Sequence, residues 1–378
     1  MSTHEGLQDA KQPVCSGVMR TPRSLALEIT ARCNLRCSYC YFFNNAAVEY
    51  RDLPTEDWLT FFDELGSLGV MTVILAGGEP FIRKDLPELI NGLVRNRMRY
   101  SFLSNGGLIG DSIAAFIAGT GRCESVQVSV DGSCAAVHDS CRGAGAFEGA
   151  VRGIHTLQRH GIYVAVRVTI HRNNVNDLDN IARFLLEDLG LPDFSTNSAG
   201  YMGTCCGNAE TVLLNIEERQ ASMAVLKRLT AKYPGRISAN AGPLADVRMW
   251  GRMAEALALK APAFNNGGRL TACGCTRTKV SVRADGTIVP CNMLEHVALG
   301  RINQDSLLDV WQNSPVLNQL RSRHSIPLEG FEFCKECDYI PYCTGNCPGL
   351  AYTLTGSIDH PSPDACLRNF LKDGGTLS

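Results

Sequence analysis

The chain has 378 residues, is 45% hydrophobic and 20% charged, and carries a formal net charge of −2. Such a chain holds a sizeable core and two or three domains, and its near-neutral charge leaves no electrostatic footprint for nucleic acid or an anionic membrane surface. No apolar run approaches the ~18–20 residues that span a bilayer, and the N-terminus lacks the charged-then-apolar layout of a signal peptide, so a cytoplasmic protein is expected.

Residues 1–22 read as an N-terminal arm, with Cys15 an incidental thiol. A strand, Leu25 to Thr30, delivers a cysteine-bearing loop, Thr30 to Phe42. A helix starts near Thr55 as N-cap, with Glu56 and Asp57 at its positive end and Trp58, Phe62 and Leu65 at helical spacing; Gly69 stops it. The run Val70–Leu75 ends in Ala76-Gly77-Gly78-Glu79-Pro80. A helix near Asp85–Arg97 leads to Tyr100–Leu103, which ends in Ser104-Asn105-Gly106. Ser125–Val130 ends in Asp131-Gly132. A helix near Ala146–His160 precedes Tyr163–Ile170, a helix over Asn176–Leu189 follows, and a sixth strand falls at Phe194–Asn197. Leu213–Tyr233 reads as a further helix, and residues 265–268, Asn-Asn-Gly-Gly, as a linker.

Strand and helix thus alternate about every thirty residues, which implies a parallel sheet with right-handed crossovers. The polar and glycine motifs sit at the C-terminal ends of strands, where loops of a barrel converge on one mouth. Six units rather than eight imply an α/β fold of the partial (β/α)6, TIM-like type, open on one side. The expected division is an arm at 1–22, the partial barrel at 23–205, a helical connector at 206–268 and a cysteine-rich C-terminal domain at 269–378.

Seventeen cysteines in an unexported chain point to metal, since disulfides are rare in reducing cytosol. Cys33, Cys37 and Cys40 fall as C-x3-C-x2-C. Three thiolates in so short a loop hold three irons of a 4Fe–4S cube and leave the fourth for another molecule. A zinc knuckle is the bland alternative, but it would need a fourth ligand and C-x2-C pairs. With Tyr39 before the last cysteine, the loop resembles the signature of the radical S-adenosylmethionine (SAM) superfamily. The resemblance implies that SAM chelates the open iron, that an electron from the cluster breaks its carbon–sulfur bond, and that a 5′-deoxyadenosyl radical takes a hydrogen atom from substrate. Gly77, Gly78, Glu79 and Pro80 match the family's GGEP motif, where backbone groups and Glu79 take the SAM amino group. Asn105, Ser129 and Asp131 lie where the family places ribose and carboxylate contacts, Arg142 is a further carboxylate candidate, and Tyr39 falls near the adenine. For each of these polar residues the structural alternative is a cap or turn, and for Tyr39 a packed core ring.

Cysteine returns beyond residue 272. Cys273-Gly274-Cys275 precedes a hairpin around Asp285-Gly286 with Cys291 on its far strand; Cys334, Cys337, Cys343, Cys347 and Cys366 follow. The pattern resembles the SPASM extension of peptide-modifying radical SAM enzymes, and Gly349–Cys366 is similar to that of the pyrroloquinoline quinone pathway and some haem-pathway members. It implies two auxiliary 4Fe–4S clusters, one on Cys273 and/or Cys275 with Cys291 and Cys347, the other on Cys334, Cys337, Cys343 and Cys366. The related pattern spaces its first two cysteines further apart than Cys-Gly-Cys, which leaves open that one of the two does not bind and that an iron of the first cluster is open to substrate. A zinc ribbon is the alternative for this half. Cys123, Cys134 and Cys141 match no family position and read as plain thiols; Cys205 and Cys206 read as buried thiols or as facing substrate.

Auxiliary clusters suit an oxidative reaction, in which a substrate radical must lose a further electron. Two substrates compete: a ribosomally made peptide, crosslinked or given a thioether, and a small metabolite or tetrapyrrole side chain, oxidised or decarboxylated. A maturase oxidising cysteine or serine on a sulfatase is a third option. The 22-residue arm is too short for a leader-binding domain, so a peptide substrate implies a separate leader-binding protein. The resemblance also implies a flavodoxin or ferredoxin reductant. From another class, a multi-cluster electron carrier would ligate every iron, which the three-cysteine loop argues against, and a zinc scaffold would hold zinc with little iron.

Overall fold

Strand β1 (Ser24–Thr30) sets the two sides of the sheet. Leu25, Leu27 and Ile29 are 0% exposed and join the main core with Trp58, Phe61 and Phe62 of the first helix. Ala26, Glu28 and Thr30 alternate to the other side, as a period of two requires. The computed structural model describes residues 17–42, 51–271 and 273–377. Cys15 and most of the expected arm lie outside the described residues.

From β1 the chain winds in one direction through β2 (Thr72–Gly77), β3 (Arg99–Ser104), β4 (Cys123–Ser129), β5 (Val164–Ile170) and β6 (Phe194–Ser198), each parallel to its neighbour. Helices α1 (Thr55–Ser67), α2 (Leu86–Arg95), α3 (Asp111–Thr120), α4 (Ala135–Arg142), α5 (Ala146–Arg159) and α6 (Leu178–Arg183) fill the crossovers. Strands added in chain order, without reversal, give the barrel-like winding expected from sequence. A short strand, β7 (Ile237–Ala239), adds a seventh parallel member beyond β6. It follows α7 (Cys205–Val212) and α8 (Ile216–Lys232) and precedes α9 (Pro243–Ala258).

Three details differ from the expected elements. Pro54, not Thr55, occupies the N-cap of α1, and the Thr55 hydroxyl donates to Asp85 instead. The helix expected over Asn176–Leu189 is divided into a 3-10 turn at Val175–Asp177, α6, and a wider π-type turn at Phe184–Asp188. The helix expected from Leu213 starts at Ile216, because Asn215 and Glu218 close a reciprocal capping box there.

The C-terminal hairpin does not stand apart from this sheet. β8 (Lys279–Val282) pairs in parallel with β1, from Ser24↔Lys279 to Leu27↔Val282. The antiparallel β9 (Thr287–Val289) and β10 (Gly300–Arg301) extend it outward. The order is therefore β10-β9-β8-β1-β2-β3-β4-β5-β6-β7 in one sheet. The remaining chain carries α10 (Leu307–Asn313), α11 (Pro315–Ser322), α12 (Pro348–Thr355) and α13 (Leu367–Lys372) among cysteine-bearing turns. Among the described residues no helix is long and apolar enough to cross a membrane.

Candidate active site

The loop bearing Cys33, Cys37 and Cys40 leaves the C-terminal end of β1 and is fastened by three separate parts of the chain. At its root, the Asp52 carboxylate accepts hydrogen bonds from the Thr30 hydroxyl (2.6 Å), the Ala31 amide (2.7 Å) and Arg32 Nε (3.0 Å). Next to it, β2 ends so close that a Cβ on Gly77 would lie 2.1 Å from Thr30 O, and one on Gly78 2.3 Å from Arg32 O. Only glycine admits this approach, and it lets the Gly78 and Glu79 amides donate to those two carbonyls at 2.9 and 2.8 Å. At the far end, the segment opening α7 grips Cys37 and Cys40. Thr204 donates its amide to Cys40 O at 3.0 Å and its hydroxyl to Cys37 O at 2.9 Å, and Asn208 donates to Ser38 O at 3.1 Å.

So held, the three half-buried thiols stand near enough to repel one another as thiolates. Burial, reinforced by that repulsion, pushes the Cys37 thiol up to about 11 and raises Cys33 as well. A cationic metal centre reverses that penalty, and a backbone N–H from Leu35 already points at Cys33 Sγ (3.4 Å). The donor set, three soft thiolates with an N–H to sulfur, fits a cube with one open iron.

Facing the loop is a polar platform. Asp131 is 0% exposed and its carboxylate accepts from Arg142 Nε at 2.5 Å, from the Thr169 amide at 2.7 Å and from the Tyr39 hydroxyl. Burial alone would raise its pKa, but Arg142, His138 and His171 together, with the Arg142 hydrogen bond, outweigh burial and hold it below the usual carboxylate range. Arg142 also lies over the Tyr39 ring and sends NH1 to 4.0 Å from Cys37 Sγ. The other face of this assembly is His171, stacked on Tyr39 with ring centroids 5.3 Å apart. Asp131 and Arg142, expected as direct cosubstrate contacts, are thus bonded to one another and hold Tyr39 in place.

Glu79, also fully buried, links β2 to β3: it accepts from the Ser104 hydroxyl (2.9 Å), the Asn105 amide (2.7 Å) and the Phe81 amide (3.2 Å). Burial pushes its carboxyl up to about 7 against those hydrogen bonds. Asn105 turns its side chain to Asn34 Oδ1 at 2.8 Å, 3.9 Å from Cys33 Sγ. Ser129 faces the barrel interior at the end of β4, half-buried. Tyr39, Gly77, Gly78, Glu79, Asn105, Ser129, Asp131 and Arg142 therefore surround the three-cysteine loop at one mouth. Asp52, His171, Gly203 and Thr204 belong to the same site and were not assigned a role from sequence. Only His171, which opens the polar run after the fifth strand, carried a signal, by its place at a strand end.

The C-terminal cysteines gather into two further groups. Cys275 shares hydrogen bonds with both Cys273 and Cys291, which holds Cys273 down at about 6 and lowers Cys291 as well, and Cys347 lies within electrostatic reach of Cys291 and Cys273. Both cysteines of the Cys-Gly-Cys run are thus present. Cys334, Cys337, Cys343 and Cys366 line one cavity with Leu328, Tyr339 and Arg368, and burial beside the other three pushes Cys334 up to about 12. Four thiols around one apolar cavity fit an enclosed four-cysteine cluster. Among the described residues no three His, Cys, Asp or Glu side chains converge tightly enough for a single metal ion. Of the other thiols, Cys134 and Cys206 are exposed, Cys123 is half-buried, and Cys141 and Cys205 are buried.

Comparison with known proteins agrees with this geometry. Residues 27–185 match the model of the Radical SAM superfamily, and residues 273–338 match SPASM, an iron–sulfur cluster-binding domain. Among similar proteins is the Fe-coproporphyrin III synthase of Methanosarcina barkeri, 29% identical over 89% of this chain and 86% of the relative. Another is the PqqA peptide cyclase of Granulibacter bethesdensis, 26% identical over 92% of this chain and 87% of the relative. Among solved structures, Streptococcus suis SuiB bound to precursor peptide SuiA superposes with a TM-score of 0.69 at 16% identity, covering 93% of this chain and 77% of that one.

Proposed function

We propose that this chain, a member of the radical SAM superfamily with a C-terminal SPASM domain, oxidatively modifies a ribosomally made peptide, joining two side chains or forming a thioether. When bound, the open-iron cluster and SAM supply one-electron cleavage of a carbon–sulfur bond and hence hydrogen abstraction. The chain's own residues position that chemistry. Cys33, Cys37 and Cys40 hold three irons, Glu79 and the β2 terminus receive the SAM amino group, and the Tyr39–His171 stack offers a flat face for the adenine. Asp131 and Arg142 keep Tyr39 in register. Asn105 and Ser129 would receive the ribose and carboxylate.

The observation that carries this reading is the grouping of eleven cysteines into one set of three and two sets of four. Three thiols facing a polar mouth leave an iron open, whereas Cys334, Cys337, Cys343 and Cys366, and likewise Cys273, Cys275, Cys291 and Cys347, suit closed electron acceptors. The peptide is favoured because relatives over nearly the whole chain include a peptide cyclase, and a neighbour of similar fold is described with its precursor peptide. A separate leader-binding protein, a flavodoxin or ferredoxin reductant and a cytoplasmic location complete the proposal. Oxidation of a tetrapyrrole side chain is the second reading, favoured by the relative named as an Fe-coproporphyrin III synthase.

The test is anaerobic reconstitution, then incubation with SAM, reductant and short peptides encoded beside this protein, read by mass spectrometry. About twelve irons per chain and a peptide lighter by two hydrogens are expected. Zinc with little iron would defeat the enzyme reading. Modification of coproporphyrin instead of any peptide would select the second reading.

A further inference from the structure

Strand β5 carries a cation that the site described above does not use. Arg167 alternates with the fully buried Val166 and Val168, so its side chain enters the barrel lumen. Register sets it beside Ser129 on β4 and Ser195 on β6. Its Nε donates to Gln127 Oε1 at 3.0 Å, and among the described residues no carboxylate pairs with it. Arg83, Arg142, Arg219 and Arg323, by contrast, pair with Asp85, Asp131, Asp246 and Asp359. Burial accordingly lowers the Arg167 pKa with no opposing charge to restore it. An uncompensated charge inside a protein is costly, and an anionic ligand removes the cost.

The direction of the side chain separates it from the cosubstrate platform. Gln127 lies two residues before Ser129 on β4, so the guanidinium leans down the lumen, away from the strand ends where Tyr39, Asp131 and Arg142 meet. Leu103, register partner of Gln127, is 36% exposed at that depth, which marks open space.

We infer that Arg167 is the anchor for a carboxylate of the substrate, seated deeper in the barrel than SAM. A planar guanidinium that keeps its terminal NH1–NH2 edge beyond the Gln127 bond suits a carboxylate. The inference rests on reading the lumen as the substrate chamber, and the carboxylate has two possible sources, an acidic peptide side chain or a propionate of a tetrapyrrole.

Reconstituted, SAM-loaded protein is titrated calorimetrically with N-acetylglutamate N-methylamide, with its glutamine analogue and with coproporphyrin III, in wild type, Arg167→Gln and Arg167→Lys. The glutamate compound or the porphyrin should bind wild type, weaken roughly tenfold or more in Arg167→Gln and partly recover in Arg167→Lys. The glutamine analogue should be insensitive to the change, and so should SAM in a separate titration. Which of the two probes responds identifies the source of the carboxylate. If Arg167→Gln fails to hold iron, Gln127→Leu takes its place, since it removes the hydrogen bond that orients the guanidinium and should weaken the same probe several-fold. Equal binding of both probes in all variants overturns the inference, as does a loss of SAM affinity alone, which would assign Arg167 to the cosubstrate. Arg167-dependent binding of a probe by an enzyme that modifies no peptide keeps the carboxylate site and sinks the peptide reading.

Discussion

Substituting alanine for Gly203 tests how the three-cysteine loop is held. Gly203 has φ of +57°, and an added Cβ would lie 2.1 Å from Cys40 O and 2.7 Å from Tyr41 O, both well inside ordinary contact at 3.4 Å. Both obstacles are backbone, so no side chain can rotate away. The left-handed conformation costs an alanine ~1–2 kcal/mol. Relief of the clash separates residues 203–208 from the loop and breaks the two Thr204 bonds and the Asn208 bond, each worth ~1 kcal/mol. The grip on the loop should weaken by roughly 4 kcal/mol altogether, enough to displace Cys37 and Cys40 from cluster-binding geometry. Gly207, four residues on in α7 and with nothing near an added Cβ, is the control. After anaerobic reconstitution, Gly203→Ala should retain about eight irons and lose 5′-deoxyadenosine formation by at least ~100-fold, while Gly207→Ala matches wild type. Full iron content and normal SAM cleavage in Gly203→Ala would refute the account of the clamp.

Alanine at Cys33, Cys37 or Cys40 should abolish SAM cleavage while the auxiliary clusters persist; cleavage surviving all three changes would show the open-iron assignment to be wrong. Cys343→Ala should remove about four irons and block product while still permitting some 5′-deoxyadenosine, and an unchanged iron content would count against the cluster walled by Cys334, Cys337 and Cys366. A pH effect is expected at Glu28, whose carboxyl burial pushes from 4.5 to about 7 against its hydrogen bond from Asn292. Because the folded pKa is the higher one, its stabilising contribution is complete below pH 4.5 and is lost as pH rises through 7. Glu28→Gln should therefore gain on wild type by on the order of 3 kcal/mol between pH 4.5 and 7; a melting-temperature difference that stays flat across that range contradicts the prediction.

Much of this molecule was legible because its signals are local. Strand and helix periods, the GGEP run and the short cysteine spacings lie within single elements, and each element formed close to where its pattern falls. Asp52 was not legible, since nothing near it shows that Thr30, Ala31 and Arg32 converge on its carboxylate. Thr204 was hidden for the same reason, for its partners lie 164 and 167 residues away. The three-residue β7 is too short to display a period of two. Asp131 was read as a ligand contact from its place at a strand end, and sequence did not show that its carboxylate also accepts from Arg142 and the Thr169 amide. An acid at a barrel mouth can act through its neighbours, and sequence does not separate the two roles. Arg167 sits inside an ordinary alternating strand and betrays itself only by having no acidic partner once folded.

The pairing of β8 with β1 makes the carboxy-terminal third a structural party to the catalytic mouth. Backbone bonds from Ser24 to Leu27 tie the strand that launches the first cysteine loop to the hairpin that presents Cys291. The separation between the two cysteine-bearing regions is consequently dictated by a shared ladder rather than by a tether. Deleting the hairpin would also bare the edge of β1, an invitation to intermolecular pairing. Shortened versions made to isolate the barrel should clump rather than yield a simpler catalyst.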